Sequence, residues 1–288
     1  MAASDAKQQS RCRFLGKVNV RAIRDAVPGL ARIAQAPTVQ QVIRGARRST
    51  VLDSPASFVA HELLAPAGRV AAHTLVGGGV AVLRHRTRDV DIFDEILVEP
   101  REYTLPQEAQ DRLAMLTAPR VLDLGGNVGL FALDVLRRWP AARVTSIEAD
   151  PANLPILRAC VAHNPQAQWI VIAAAASTAA GTLMIDSGRF ADSVVSEQGT
   201  TAVPSVDAFE LLADTDLVKI DIKGSEWHIL LDKRFRALRA PVLVMEWHAQ
   251  QAPRRHDLHD LAVSLVERAG YTTCGGACGD HGTVWGWK

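Results

Sequence analysis

An apolar run that ends in an acid, turns on glycine and resumes as an apolar helix occupies Arg120 to Phe131, R-V-L-D-L-G-G-N-V-G-L-F. That order of features is the first strand, turn and helix of a nucleotide-binding α/β domain. Glycines let the backbone take positive φ and let a ligand approach where a Cβ would clash. Open α/β sheets bind ligands at such strand ends. The spacing D-x-G-G-N-x-G is not the G-x-G-x-x-G of dinucleotide-binding dehydrogenases. A tight turn with no ligand is the bland alternative, and the segments that follow argue against it.

The chain after this turn alternates regularly. Strands are expected at Val121–Leu124, Val144–Glu148, Trp169–Ala173, Leu217–Asp221 and Val242–Glu246. Helical patterns fall at Phe131–Arg138, Leu154–His163, Trp227–Leu238 and Leu258–Arg268. Repeated strand and helix mean a parallel sheet with right-handed crossovers. The end differs: Tyr271–Cys274 and Thr283–Trp287 enclose Gly275–Gly282, which has no helical pattern, so an antiparallel edge hairpin is expected. The fold class is therefore α/β, a Rossmann-like sheet with a terminal antiparallel hairpin. That is the topology of class I methyltransferases, and a plain nicotinamide-binding Rossmann domain lacks it.

The turn spacing also fits the S-adenosylmethionine (SAM) turn of those enzymes. SAM carries no phosphate, so no anion cradle is needed. It presents a cationic ammonium and sulfonium beside a carboxylate. Asp123 could meet the cationic side, and the free N–H groups of the turn could meet the carboxylate. Glu148 lies about 20 residues past the glycines, where a doubly wound fold places the acid that accepts from ribose hydroxyls. A solvated strand-end acid is the plainer reading of Glu148.

A second constellation is Leu217-Val-Lys-Ile-Asp221-Ile-Lys223-Gly-Ser-Glu226-Trp227. Asp221, Lys223 and Glu226 crowd the end of a strand, at the ligand edge of the sheet. Such neighbours shift one another's pKa values, as functional sites do. A structural ion pair with Glu226 in the first turn of the next helix is the alternative. The next strand brings His248 to the same edge, a general-base candidate with a suitable ordinary pKa. His256 and His259 read as surface residues.

At 288 residues and 48% hydrophobic, the chain can bury a full α/β core with an extension. The net charge of +1 gives no global field for nucleic acid or membranes. Aromatic residues are 5%, with no stacking platform evident for nucleic-acid methylation. Cys12, Cys160, Cys274 and Cys278 are scattered, and the Cys274–Cys278 gap is not a zinc or redox spacing, so reduced thiols are expected. No run is long enough to span a membrane, and the N-terminus lacks an apolar signal core, so the expected location is the cytoplasm. Three parts are expected: a basic helical extension over residues 1–55, a β-rich lid or wall over 56–115, and the ligand-binding domain over 116–288. The extension carries Arg11, Arg13, Lys17, Arg21 and Arg24 and could join two copies of the chain. Gly77-Gly78-Gly79 between Arg69–Val76 and Val80–Arg84 marks a hairpin in the wall.

Taken together, Asp123-Leu-Gly-Gly-Asn-Val-Gly129 and Val218-Lys-Ile-Asp-Ile-Lys-Gly-Ser-Glu226 resemble the FkbM family of SAM-dependent methyltransferases. Glu148-Ala-Asp-Pro-Ala-Asn153, Ala173–Ala176 and Val206-Asp207 also sit where that family's pattern places them, over roughly Thr104 to Trp287. The resemblance implies methylation of a hydroxyl on a small secondary metabolite or a sugar. It implies that Asp123, Gly125, Asn127, Gly129 and Glu148 hold SAM, with Phe131, Ala149, Ala174 and Asp221 completing the cofactor set. It puts Asp221 near methyl transfer, beside Glu226. His248 is the first choice of base and Lys223 the second. The family usually has an acid where this chain has Lys223. An oxygen-rich site for Mg²⁺ is weakened by that change, so a divalent metal is left open and not predicted. N-methylation, a non-catalytic SAM- or partner-binding module, and a nicotinamide-dependent oxidoreductase remain as alternatives. The acceptor itself depends on residues 1–115 and on Asp186–Pro204, which includes Arg189, Phe190 and Ser193.

Overall fold

The computed structural model describes residues 45, 47–99, 103–188, 193–196, 198–254 and 256–288. Nearly all of the expected N-terminal extension, and with it the expected dimer contact, lies outside the described residues, as do Arg189 and Phe190.

Three consecutive glycines turn the first hairpin. Gly77, Gly78 and Gly79 take φ of 83°, 105° and 87°, which side chains with a Cβ adopt only under strain. They join β1 (Val70–Thr74) to β2 (Val80–Arg84). The hairpin follows α1 (Pro55–Leu64), which opens on proline, and precedes α2 (Arg88–Phe93), one π-helical turn at Asp94–Val98, and α3 (Gln107–Ala114). Among the described residues between 56 and 115, where the sequence suggests a β-rich wall, strands are confined to this hairpin and most other elements are helical.

The main sheet is built from β3 (Arg120–Leu124), β4 (Arg143–Glu148) and β5 (Gln168–Ala173), with α4 (Leu130–Arg138) and α5 (Leu154–His163) between them. A small sheet comes next, formed by β6 (Ala175–Ser177), β7 (Gly181–Asp186), β8 (Val194–Val195) and β9 (Thr201–Asp207). Then follow α6 (Ala208–Leu212), β10 (Leu217–Ile220), α7 (Glu226–Leu231), β11 (Val242–His248), α8 (Leu258–Arg268), β12 (Thr272–Cys278) and β13 (His281–Trp287). The seven-stranded order is β12-β13-β11-β10-β3-β4-β5, parallel except for β13, which pairs antiparallel with both β11 and β12. All four residues of β10 are buried, as expected of a strand covered on both faces. One core layer packs α4, α5 and the N-terminal segment on the sheet, and the other packs α6, α7 and α8. The chain leaves β3 toward β4 on one side and later returns as β10 on the other. The crevice between those strand ends is where such sheets bind ligands.

Two expectations change in detail. The helix expected over Trp227–Leu238 breaks at Asp232, whose ψ of 135° is extended and whose carboxylate accepts from Arg234 N–H to start a 3₁₀ turn over Lys233–Ala237. The loop expected over Gly275–Gly282 is mostly strand, because β12 and β13 pair as far as Cys278 and His281. Gly275 makes that pairing fit, since a Cβ there would meet the Thr283 carbonyl oxygen at 2.0 Å. Among the described residues no helix is long and apolar enough to cross a membrane.

Candidate active site

A cleft of about 610 Å³, open to solvent, lies at the carboxyl ends of β3, β4 and β10. Gly125 brings the strand ends together. Its φ is 84°, and a Cβ there would lie 1.9 Å from the Asp221 carbonyl oxygen. The N–H groups of Gly125 and Gly126 both donate to the Ile147 carbonyl, at 3.0 and 2.9 Å. The turn is thus tied to β4, the strand that carries Glu148.

Glu148 Oε2 accepts from the backbone N–H of Asn127 at 2.7 Å, and Oε1 accepts from that of Asp150 at 2.8 Å. Burial pushes its pKa up, and these hydrogen bonds act against that. Asn127 has a φ of 49°, unusual for a residue with a side chain. Its Oδ1 is buried with no hydrogen-bond partner among the described residues, and Asn127 lines the cleft. A buried acceptor left open is a place for a ligand donor. Asp150 accepts from the hydroxyls of Ser187 and Ser193 and from Gly188 N–H, which ties those three residues to the end of β4.

The sequence-marked residues separate into two levels. Gly125, Asn127, Glu148, Ala149, Ala174 and Asp221 line the cleft, and so does Lys223. Asp123, Gly129 and Phe131 lie beneath it. Asp123 is fully buried, accepts from Ser146 Oγ at 2.9 Å and pairs with Lys219 Nζ at 3.2 Å. Its carboxylate is thus held inside the fold by Ser146 and Lys219. Gly129 is a packing position, since a Cβ would come within 2.8 Å of both Trp169 and Leu157. Phe131 packs against the ring of Tyr103 at 5.6 Å.

Lys219 and Tyr103 are absent from the residues singled out by sequence. Lys219 Nζ donates to the Gly125 carbonyl at 2.5 Å, so it holds the glycine turn directly. The charges of Asp123 and Asp221 keep it protonated against a burial effect that acts the other way. The Tyr103 hydroxyl lies 3.1 Å from Glu246 Oε2 and 3.4 Å from Asp221 Oδ2. A lysine inside the apolar run Leu-Val-Lys-Ile was the available signal for the first; nothing local marks the second.

Lys223, on the cleft wall, has its Nζ 2.9 Å from Asp221 Oδ1, 3.0 Å from His248 Nε2 and 3.9 Å from Glu246 Oε1, while Glu226, Glu246 and His248 do not themselves line the cleft. Fully buried Glu226 accepts from the N–H groups of Gly224 and His248 at 2.8 and 2.6 Å, and its Oε1 is 3.1 Å from His248 Nδ1. His248 Nε2 lies 3.3 Å from Glu246 Oε1. Burial alone would lower the His248 pKa, but Glu226 and Glu246 outweigh it and raise it to about 9. Burial would likewise lower Lys223, yet Asp221 and Glu246 raise it. Asp221 is held below the usual carboxylate range by Lys223 and Lys219, against the upward effect of burial. The ordinary histidine pKa expected from sequence is thus not what His248 has. The neighbouring carboxylates favour the protonated form of each base candidate. Asp221, Glu246 and His248 are close enough to ligate a metal ion, but the Lys223 ammonium stands among them and opposes one.

The methyltransferase FkbM domain model matches residues 123–273, more than half of the chain and all of the cleft's strand ends. The chain belongs to the FkbM methyltransferase family. The sequence resemblance, drawn over roughly Thr104 to Trp287, contains the matched region. No curated protein matches the sequence significantly. Among solved structures, an FkbM methyltransferase from Methylobacillus flagellatus is similar at 20% identity and a TM-score of 0.42, over 59% of this chain and 44% of that one. The FkbM chain here therefore matches less than half of that protein's length. A precorrin-6y C5,15-methyltransferase from Geobacter metallireducens is similar at 16% identity and a TM-score of 0.40, over 65% and 91% of the two chains. An Aeropyrum pernix fibrillarin with natively bound SAM is similar at 11% identity and 0.41, over 75% and 93%.

Proposed function

We propose that this methyltransferase uses SAM to methylate a hydroxyl group on a small molecule, of the secondary-metabolite or sugar class that the sequence resemblance implies. The observation that carries the cofactor reading is Glu148. Its carboxylate is fixed by two backbone N–H groups at the mouth of the cleft, beside the unpartnered Asn127 Oδ1. Glu148 would accept from ribose hydroxyls, Asn127 and Gly125 would border the cofactor's polar end, and Ala149 and Ala174 would leave room for a flat ring. SAM, when bound, supplies an electrophilic methyl group on a sulfonium.

The chain's own residues would align the acceptor and exclude water. Asp221 and Glu246 are carboxylates that can orient a hydroxyl by accepting its hydrogen bond. The Lys223 ammonium, with imidazolium His248 behind it, stabilises negative charge that develops on the acceptor oxygen. The preference for O- over N-methylation rests on the sequence resemblance.

Calorimetric titration with SAM and, separately, with NADH tests the cofactor. SAM binding without NADH binding, weakened at least tenfold by Glu148→Ala, is the expected result. NADH binding, or unchanged SAM affinity in Glu148→Ala, would defeat the reading. Release of demethylated cofactor with hydroxylated acceptors separates an enzyme turning over such acceptors from a binding module.

A further inference from the structure

Three histidines from three elements meet at the N-terminal hairpin, outside the cleft. His61 lies in α1, His73 in β1, and His85 directly after β2. One ring nitrogen from each lies within 4.8 Å of the other two. His73 Nε2 and His85 Nε2 are 2.7 Å apart, and both residues are buried. His61 is half-buried, and its ring stacks on that of His85 with centroids 4.9 Å apart.

Hydrogen bonds decide which nitrogens are available. His61 Nδ1 is 2.8 Å from the Ser57 carbonyl oxygen, and His85 Nδ1 is 2.7 Å from Glu62 Oε1. Neither oxygen can donate, so each Nδ1 carries the proton, and a lone pair remains on Nε2 of a neutral ring. A carbonyl or carboxylate behind the distal N–H is the arrangement that orients metal-bound histidines and strengthens them as donors. Glu62 is itself held by Arg86 N–H at 2.9 Å. Without a metal, His73 Nε2–H donates to the His85 lone pair. A cation between the two nitrogens takes that proton's place, and His73 then carries its proton on Nδ1.

The dimensions and chemistry select the ion. Zinc–nitrogen bonds of about 2.0–2.1 Å at tetrahedral angles put the nitrogens about 3.3 Å apart, so the His73–His85 contact must open by roughly 0.6 Å. Three imidazoles suit zinc and its neighbours in the transition series, whereas Mg²⁺ and Ca²⁺ want oxygen. The half-exposed side at His61 leaves the fourth position to water.

We propose that His61, His73 and His85 form a binding site for a Zn²⁺-class divalent cation through their Nε2 atoms, with Glu62 orienting His85 from behind. The ion ties α1 to the hairpin. Arg84, the residue before His85, donates to Asn153 Oδ1 at 2.7 Å and to the Ala152 carbonyl at 3.2 Å. Those residues follow β4 directly after the Glu148 strand end, so the ion braces the wall beside the cleft.

The test uses the full chain without an affinity tag, stripped with a chelator and dialysed. It is titrated with Zn²⁺ by calorimetry and with Co²⁺ by visible absorption. The expected result is one Zn²⁺ per chain, a Co²⁺ spectrum without a thiolate charge-transfer band, and a rise in Tm on adding Zn²⁺. His61→Ala should lose at least tenfold in affinity and the Tm response, with circular dichroism confirming its fold. Glu62→Gln keeps all three rings and should lose about 10- to 100-fold. Absence of stoichiometric Zn²⁺ binding, or undiminished affinity in both variants, overturns the proposal. So does a thiolate band, which would place the ion at Cys274 and Cys278, or loss of binding in Asp221→Asn with retention in His61→Ala, which would place it in the cleft.

Discussion

Glu226→Gln is the perturbation that best tests the electrostatics of the site. Glu226 is fully buried, accepts two backbone N–H groups and faces His248 Nδ1 at 3.1 Å. The His248 pKa rises from 6.5 to about 9, equivalent to about 3 kcal/mol of preference for the imidazolium. The folded pKa lies above the unfolded one. This contribution to stability is therefore complete below about pH 6.5 and is lost as pH rises toward about 9. A hydrogen bond to a charged partner is worth about 1.5–3 kcal/mol, so glutamine should lower the His248 pKa by roughly one to two units. One face of the amide cannot accept, which also leaves a backbone N–H without its partner at a cost of about 1–3 kcal/mol. The assay is NMR titration of ring-labelled histidine in the wild type and Glu226→Gln, with the His248 signal assigned by its loss in His248→Gln. Urea denaturation at pH 6 and pH 9 reads the same linkage, and the wild type should lose stability between them more steeply than the variant. A wild-type His248 that titrates at or below 6.5, or a value unmoved in Glu226→Gln, would refute the reasoning. Methyl transfer should fall as pH passes about 9, because His248 acts as a cation. A rate that rises through that pH would make it a base instead.

Asp123→Ala should cost about 3–5 kcal/mol in urea denaturation, because it strips the nearest counter-charge from buried Lys219; a loss under about 1 kcal/mol would show that Asp221, 3.7 Å away, suffices. The double replacement Asp123→Leu with Lys219→Met should recover most of that loss, as measured in the same assay. Gly125→Ala should prevent stable folding, because its Cβ would sit 1.9 Å from the Asp221 carbonyl, whereas Gly68→Ala, with φ of 81° and nothing within 4 Å, should cost only about 1 kcal/mol of backbone strain. Equal Tm values for these two variants would contradict the close approach of β3 and β10.

Much of the fold was legible because it rests on local pattern. Continuous apolar runs such as Val-Leu-Val-Met mark strands buried on both faces, and the apolar spacing between such runs marks helices. What escaped depends on contacts distant in sequence. The sheet of β6 to β9 has short strands, some of two or three residues, and its pairing brings Gly181 beside Ser205, so no local period announces it. The break at Asp232 was missed because Leu-Asp-Lys-Arg-Phe fits a helical apolar spacing as well as a stop. The preference of Asp232 for capping the next turn decides between them. The glycines of β12 suggested a loop, yet they are what lets β13 approach.

The site follows the same division. Glu148 and Asp221 are legible as strand-end positions from spacing, and Asn127 is legible through the family resemblance. The state of His248 was not, because its pKa depends on Glu226 and Glu246, which reach it from a helix and from its own strand. Asp123 is the instructive case. It carries the strongest position in the turn motif, and motif reasoning makes it a ligand for SAM. Once β10 is placed beside β3, the parallel register sets Asp123 opposite Lys219, 96 residues away. Two opposite charges at paired positions of adjacent buried strands have each other as partners, since neither is stable alone in that setting. The acid then acts on the cleft through Lys219, whose ammonium donates to the Gly125 carbonyl and fixes the turn. A D-x-G-G turn can therefore require its acid for the shape of the cleft without offering that acid to the ligand, and loss of cofactor binding in an Asp123 variant would report on the turn's support.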